Sequence, residues 1–355
     1  MASLGRTGWR RARGIAACMS CACLVLLSTM ASAAPSTRMG SLKGLSMGTS
    51  WTVTVVVPSS SDLPSLQRLV QAALDRVDAQ MSTYKTDSSL NRFNRAPAGS
   101  WQTLEPEFFT VLAHALSVAR DSEGAYDPTI GPLVDLWGFG PVTPSAMPPS
   151  PSSIDVARAR VGWQRLRLDA ATRRALQPGG VALDLSAVAK GFGVDEAGRA
   201  LERAGIASYL VEVGGELRAR GHKADGSSWR VGVERPDAAA SAAGAADVGE
   251  SVLLDDMSIA TSGDYRRFRA VDDSRQSHHI DPATGRPVRG GLASVSIVAV
   301  DCMQADAWGT AFSVMGVERS MAFARRRNMP ALIVERRGDR FVEHATPQFV
   351  AMIQP

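Results

Sequence analysis

LDLSAVAKGFGVD, Leu183 to Asp195, is where the chain turns from an apolar strand end into a helix. Residues 181–185 predict a strand, Ser186-Ala187 opens a helix that reads on to about residue 204, and 208–213 returns as a strand. A regular succession of such units would give a parallel sheet. The flanking sequence breaks that regularity. TVTVVV at 52–57 is a strand stopped by Pro58, followed by a helix over 66–81 with Leu66, Leu69, Val70, Ala73, Leu74 and Val77 at helical spacing. Helices are also expected over 108–119, 154–161, 305–315 and 317–327. Strand-like runs fall at 165–169, 229–233, 251–254 and 293–300, and 331–335 with 340–342 form a hairpin. The Pro- and Ser-rich stretch 138–153 is a loop, and 237–246, nearly all Ala, Ser and Gly, is a surface insertion. Irregular alternation of strands and helices indicates an α+β fold. With no repeat and no long Pro-rich linker, nothing divides 40–350 into two domains.

The four arginines of the N-terminal segment (Arg6, Arg10, Arg11, Arg13) account for the whole formal charge of +4. The remainder is balanced, which gives no support to an electrostatic footprint for nucleic acid. An Arg-rich start, an apolar stretch over 14–30 and Ala31-Ser32-Ala33-Ala34 make residues 1–34 a secretory signal, cut after Ala33 or Ala34. Ile15-Ala16-Ala17-Cys18 also fits a lipoprotein cleavage box, and Arg10-Arg11 a twin-arginine signal. The expected location is the periplasm, with inner-membrane attachment only if the chain is lipidated. Cys302 is the one cysteine outside this segment, which leaves no internal disulfide and no Cys-based zinc site.

The sequence has no G-x-G-x-x-G, no Walker A and no H-E-x-x-H. Three other constellations carry chemistry. In LDLSAVAKGFGVD, the helix start offers unpaired N–H groups to phosphate oxygens, with Lys190 as a point charge; equally, Asp184 or Ser186 merely caps backbone donors. In DCMQADAWGTAFSVMG (Asp301 to Gly316), Asp306 and Thr310 project oxygens from one helix face. A carboxylate beside a hydroxyl suits Mg²⁺, which takes a few hard ligands and completes its shell with substrate phosphates and water. In SHHIDPATGRPV (Ser277 to Val288), two histidines enter a turn, placing a proton-exchanging group there. Gly263 in SIATSGDYRRF permits close backbone approach to a ligand. Trp137, Phe139 and Tyr126 are core aromatics or a stacking platform.

In chain order these runs, with MGTSWTV (Met47 to Val53), MSTYKTDSSLNRFN (Met81 to Asn94), AYDPTIGPLVDLWGFG (Ala125 to Gly140) and VEVGGELRARG (Val211 to Gly221), resemble the ApbE family, the FAD:protein FMN transferases formerly called thiamine-biosynthesis lipoproteins. The resemblance implies a T-fold-related mixed sheet with packed helices, FAD as substrate and Mg²⁺ at its diphosphate. Carried over residue by residue, it implies flavin contacts at Met47, Tyr84, Ala125-Tyr126-Asp127, Asp184, Lys190 and Ile280. The metal would be held by Asp306, Thr310 and the carbonyl of Ala187, with His278 as proton acceptor and His279 as its substitute. Ala283 departs from the family's D-P-R-T-G turn.

The implied reaction is attack by an acceptor threonine hydroxyl on the FMN-side phosphorus, with AMP leaving. Implied acceptors are periplasmic parts of membrane redox complexes or nitrous-oxide-respiration regulators. Two other readings fit the same motifs: an FAD pyrophosphatase, in which water replaces the threonine, and a flavin-binding protein without chemistry.

Overall fold

A computed structural model describes residues 36–353 apart from 143–146, 235, 237–247, 264–267, 272–273, 290 and 339. The expected signal segment, 1–34, and the Ala-rich stretch 237–246 thus lie outside the described residues. An eight-stranded sheet runs in the order Thr37–Ser46, Thr49–Pro58, Ser208–Val213, Glu216–Arg220, Ser258–Gly263, Leu292–Ala299, Ala331–Arg337, Arg340–Ala345. Each neighbouring pair in it is antiparallel. The α+β class holds, carried by an antiparallel sheet where a mixed one was expected.

The period-2 pattern of Thr49–Pro58 fixes its facing. Trp51, Val53, Val55 and Val57 are fully buried, while Ser50 and Thr52 are exposed. Each such side chain stabilises the fold by about 1.5–3 kcal/mol, and a one-residue slip would expose all four. They pack on Val70 and Leu74 of the helix Leu63–Met81 and on Val194, Ala197 and Leu201 of the helix Ala189–Arg203. Leu292–Ala299 is instead buried along nearly its whole length. Val295 and Ile297 face the helices, and Val298 faces the hairpin Trp229–Glu234/Val248–Leu254, which covers the sheet's other side. The helix Cys302–Met315 lies against Ser258–Gly263 and Leu292–Ala299 on one side and the helices Ala189–Arg203 and Pro106–Asp121 on others. It is buried nearly all round, so a polar residue on it needs a reason. Among the described residues no helix is long and apolar enough to cross a membrane.

Two local expectations fail at the decisive run. Residues 181–185 form no strand; one parallel bridge joins Ile130 to Ala182. The Asn94 side chain takes the place of a strand neighbour, accepting from Leu183 N (2.7 Å) and donating to Leu183 O (3.0 Å). The helix also starts later, at Ala189, with no side-chain cap from Val188. Asp184 Oδ1 accepts from Ser186 N (2.8 Å), closing a tight turn before it.

Candidate active site

Two hairpins end side by side at one rim of the sheet. Met47-Gly48 links Thr37–Ser46 to Thr49–Pro58, and Gly214-Gly215 links Ser208–Val213 to Glu216–Arg220. All four turn residues have positive φ, the conformation that two-residue hairpins with right-handed twist require. Below them lie the start of the helix Ala189–Arg203 and the middle of the helix Cys302–Met315, which presents Asp306, Thr310 and Val314. Together they form a cleft of about 420 Å³, within the range of small-molecule sites.

The cleft brings together Met47, Tyr84, Ala125, Tyr126, Asp127, Asp184, Ala187, Lys190, His278, Ile280, Asp306 and Thr310, every site residue singled out in the sequence. His279 and Gly263 line it as well. Their circumstances differ. Tyr84 is 63% exposed at the mouth, its hydroxyl 3.4 Å from Phe139 O. Tyr126 is buried and its hydroxyl has no hydrogen-bond partner among the described residues; burial and the nearby Asp306, Asp184 and Asp127 hold its pKa well above the usual phenol value. Asp127 is occupied in shaping the loop: it accepts from Thr129 N and Oγ1 (2.8 and 2.7 Å) and from Trp163 N (3.1 Å). Trp137 is core, donating its indole N–H to Gly285 O (2.8 Å), whereas Phe139 lines the cleft.

The helices Ala189–Arg203 and Cys302–Met315 meet closely at Gly191. A Cβ there would collide with the Cys302 carbonyl and come 2.8 Å from Asp306 Cβ, so only glycine lets the two helices meet. That approach lets Asp306 Oδ2 accept the Gly191 N–H at 2.9 Å, a donor near the helix start that has no partner within its own helix. Lys190, one residue before, pairs its ammonium with Glu216 Oε1. Burial pushes Asp306 up despite Lys190 and the Gly191 N–H. It pushes Glu216 up to about 7, against the pull of Lys190 and with the added push of Asp306. Two buried carboxylates around one ammonium make the floor of the cleft receptive to a cation.

The two adjacent histidines are not equivalent. Their rings lie 4.0 Å apart, but His279 is buried while His278 is half-buried, with Phe139 edge-on at 6.4 Å. Burial and His278 hold the His279 pKa well below its usual value. Ala283 leaves its turn intact: its N–H donates to Asp281 Oδ1 (2.9 Å) and Gly285 N to Asp281 O (2.8 Å).

Residues 47–333 match the ApbE family. The chain belongs to that family. FAD:protein FMN transferase of Salmonella typhimurium is 38% identical over 311 residues, covering 87% of both chains. The enzyme of that name from Vibrio cholerae is 38% identical over 309 residues, 87% of this chain and 91% of the other. The solved flavin transferase ApbE of Vibrio cholerae superposes with a TM-score of 0.81 at 35% identity, covering 89% of this chain and all of that one. The family shares the α+β architecture described above.

Glu216 and Asp195 were not singled out in the sequence. Glu216 is signalled only by standing directly after the Gly-Gly turn. Asp195 accepts the Cys302 N–H across 107 positions, which no local pattern discloses.

Proposed function

We propose that this protein is an FAD:protein FMN transferase, moving FMN from FAD to a threonine hydroxyl of an acceptor protein. The observation that carries this reading is the convergence of Lys190, the Asp306–Thr310 oxygen pair and His278 on one cleft, in a family whose curated relatives bear that name.

The donors on this floor suit a hard cation. Asp306, Thr310 and the Ala187 carbonyl are oxygen ligands, the Asp306 carboxylate is buried, and Mg²⁺ needs only one or two carboxylates when phosphates complete its shell. When bound there, Mg²⁺ neutralises charge on the diphosphate. Lys190 and the start of the helix Ala189–Arg203 add positive potential for the same group. Tyr126 donates its unpaired hydroxyl to the dinucleotide, and Tyr84 closes on it from the mouth. His278 accepts the proton of the threonine hydroxyl as its oxygen bonds to the FMN-side phosphorus. The bond from that phosphorus to AMP breaks, and AMP leaves with the electron pair.

An exported protein with this activity meets acceptors in the periplasm, in membrane redox complexes or nitrous-oxide-respiration regulators. The N-terminal segment is the reason for assigning that compartment. The test is to incubate the mature chain with FAD, Mg²⁺ and a candidate acceptor domain, following AMP and the acceptor's mass. AMP together with an FMN-sized gain is expected. AMP without a mass gain would mean hydrolysis, and no AMP would mean binding alone.

A further inference from the structure

Glu216 is a costly residue to place where it is. Its side chain is 4% exposed, one oxygen meets Lys190, and the other has no hydrogen-bond partner among the described residues. Burying a carboxylate half satisfied in this way costs free energy that an apolar side chain of the same size would not. The sheet offers little choice of position: the Gly214-Gly215 turn sets Glu216 opposite Val213 at the first position of its strand, facing the cleft. Asp306 lines the same cleft and accepts the N–H of Gly191, that lysine's neighbour in the chain, at 2.9 Å; it is buried, and the Lys190 ammonium attracts its carboxylate too. Two buried anions therefore compete for one cation. If Asp306 wins, its carboxylate is neutralised by lysine.

We propose that Glu216 is a positioning residue that acts through Lys190, holding the ammonium to its own side of the cleft so that the Asp306 carboxylate is left for a divalent cation. The inference rests on the reading of Asp306 and Thr310 as cation ligands. It makes Glu216 part of the metal site without being a ligand. It also gives Lys190 a fixed place, directed at the substrate diphosphate beside the metal.

The probe is Mn²⁺ in place of Mg²⁺, with free Mn²⁺ followed by electron paramagnetic resonance at about pH 8 and FAD kept saturating by its fluorescence. Glu216→Gln keeps the size of the side chain and removes its charge. It should weaken Mn²⁺ binding about tenfold or more, since Lys190 turns to Asp306. The decisive variant is Glu216→Gln combined with Lys190→Met, which removes the competing ammonium and should restore most of the affinity. A residue needed only for folding would not be rescued by deleting its partner. Unchanged affinity in Glu216→Gln, or no recovery in the double variant, overturns the proposal. No Mn²⁺ binding by the unaltered protein would instead overturn the metal reading beneath it. Should Glu216→Gln fail to fold by circular dichroism, Glu216→Asp takes its place. That change keeps the charge but shortens its reach, so a partial loss supports the proposal and full affinity refutes it.

Discussion

Asp195 and Cys302 stand 107 positions apart, and the Asp195 carboxylate accepts the Cys302 N–H at 3.0 Å and the Met303 N–H at 3.0 Å. The helix Cys302–Met315 has no cap from its own Asp301. Its first turn is capped instead by a residue of the neighbouring helix, so the helix bearing Lys190 and the helix bearing Asp306 are fastened at two points, Asp195 and Gly191. Arg218 supports the cap from behind, with Nη1 at 2.7 Å from Asp195 Oδ1. Asp195→Ala should cost about 3 kcal/mol in urea unfolding, the lower part of the range for breaking a buried pair, because Arg218 still has Asp301 and Glu202 nearby. A loss below about 1 kcal/mol, the worth of an ordinary cap, would show that the fastening is unimportant.

Gly191→Ala tests the other point. The added methyl meets backbone, which has no flexible end to swing aside. The helices must separate, and overpacking of this kind costs about 1–3 kcal/mol. The Gly191 N–H to Asp306 contact should open too, so metal affinity should fall along with the unfolding midpoint. Full metal affinity in a destabilised variant would mean that Asp306 is placed without that contact.

Asp306→Asn should abolish Mn²⁺ binding in the presence of FAD while leaving the unfolding midpoint near that of the unaltered protein, since burial already opposes the charged form. Thr310→Val, close in shape, should weaken binding about tenfold. Titration calorimetry reads both. A Thr310→Val variant with unaltered affinity would remove the hydroxyl from the ligand set.

Much of this site is legible in the sequence, and the reason is spacing. Asp306 and Thr310 sit one helical turn apart, so the pattern already implies a shared face. The order of the runs identified the family, and through it residues such as Met47 and Ile280 that no chemical pattern marks. The Val181–Leu185 strand was misread because apolar β-type residues signal burial, not pairing; here the Asn94 side chain supplies the hydrogen bonds a neighbouring strand would. Glu216 and Asp195 escaped because what makes each unusual is a partner on another element. A glutamate in a strand and an aspartate in a helix look like solvated charge until Lys190 and the Cys302 N–H are seen against them.

His278→Ala should lower kcat by about 10²–10⁴, the usual contribution of a general base, with FAD affinity changed little. The difference from His279 is the point of the comparison. His279 is buried, with its backbone N–H 3.2 Å from Ser277 Oγ. His279→Gln should act chiefly on stability and on the orientation of the neighbouring ring. Equal losses of kcat in both variants would mean that the proton acceptor is not assigned to His278 alone.

The pH dependence of stability isolates His279. Its pKa in the fold lies well below the usual 6.5, because burial opposes the charged imidazole and His278 adds to that. The unfolded chain therefore binds a proton that the native chain refuses. Its contribution to stability is fully present above about pH 6.5 and is lost as pH falls toward the depressed value, at up to about 1.4 kcal/mol per pH unit. Carboxylates add their own acid sensitivity, but they are shared by a variant lacking the imidazole. Urea unfolding at about pH 7 and pH 5.5 should thus show the unaltered protein losing about 1 kcal/mol more than His279→Gln across that interval. Parallel slopes would mean that His279 takes up its proton in the native cleft, which would make it, and not His278, the better candidate for proton transfer near neutral pH.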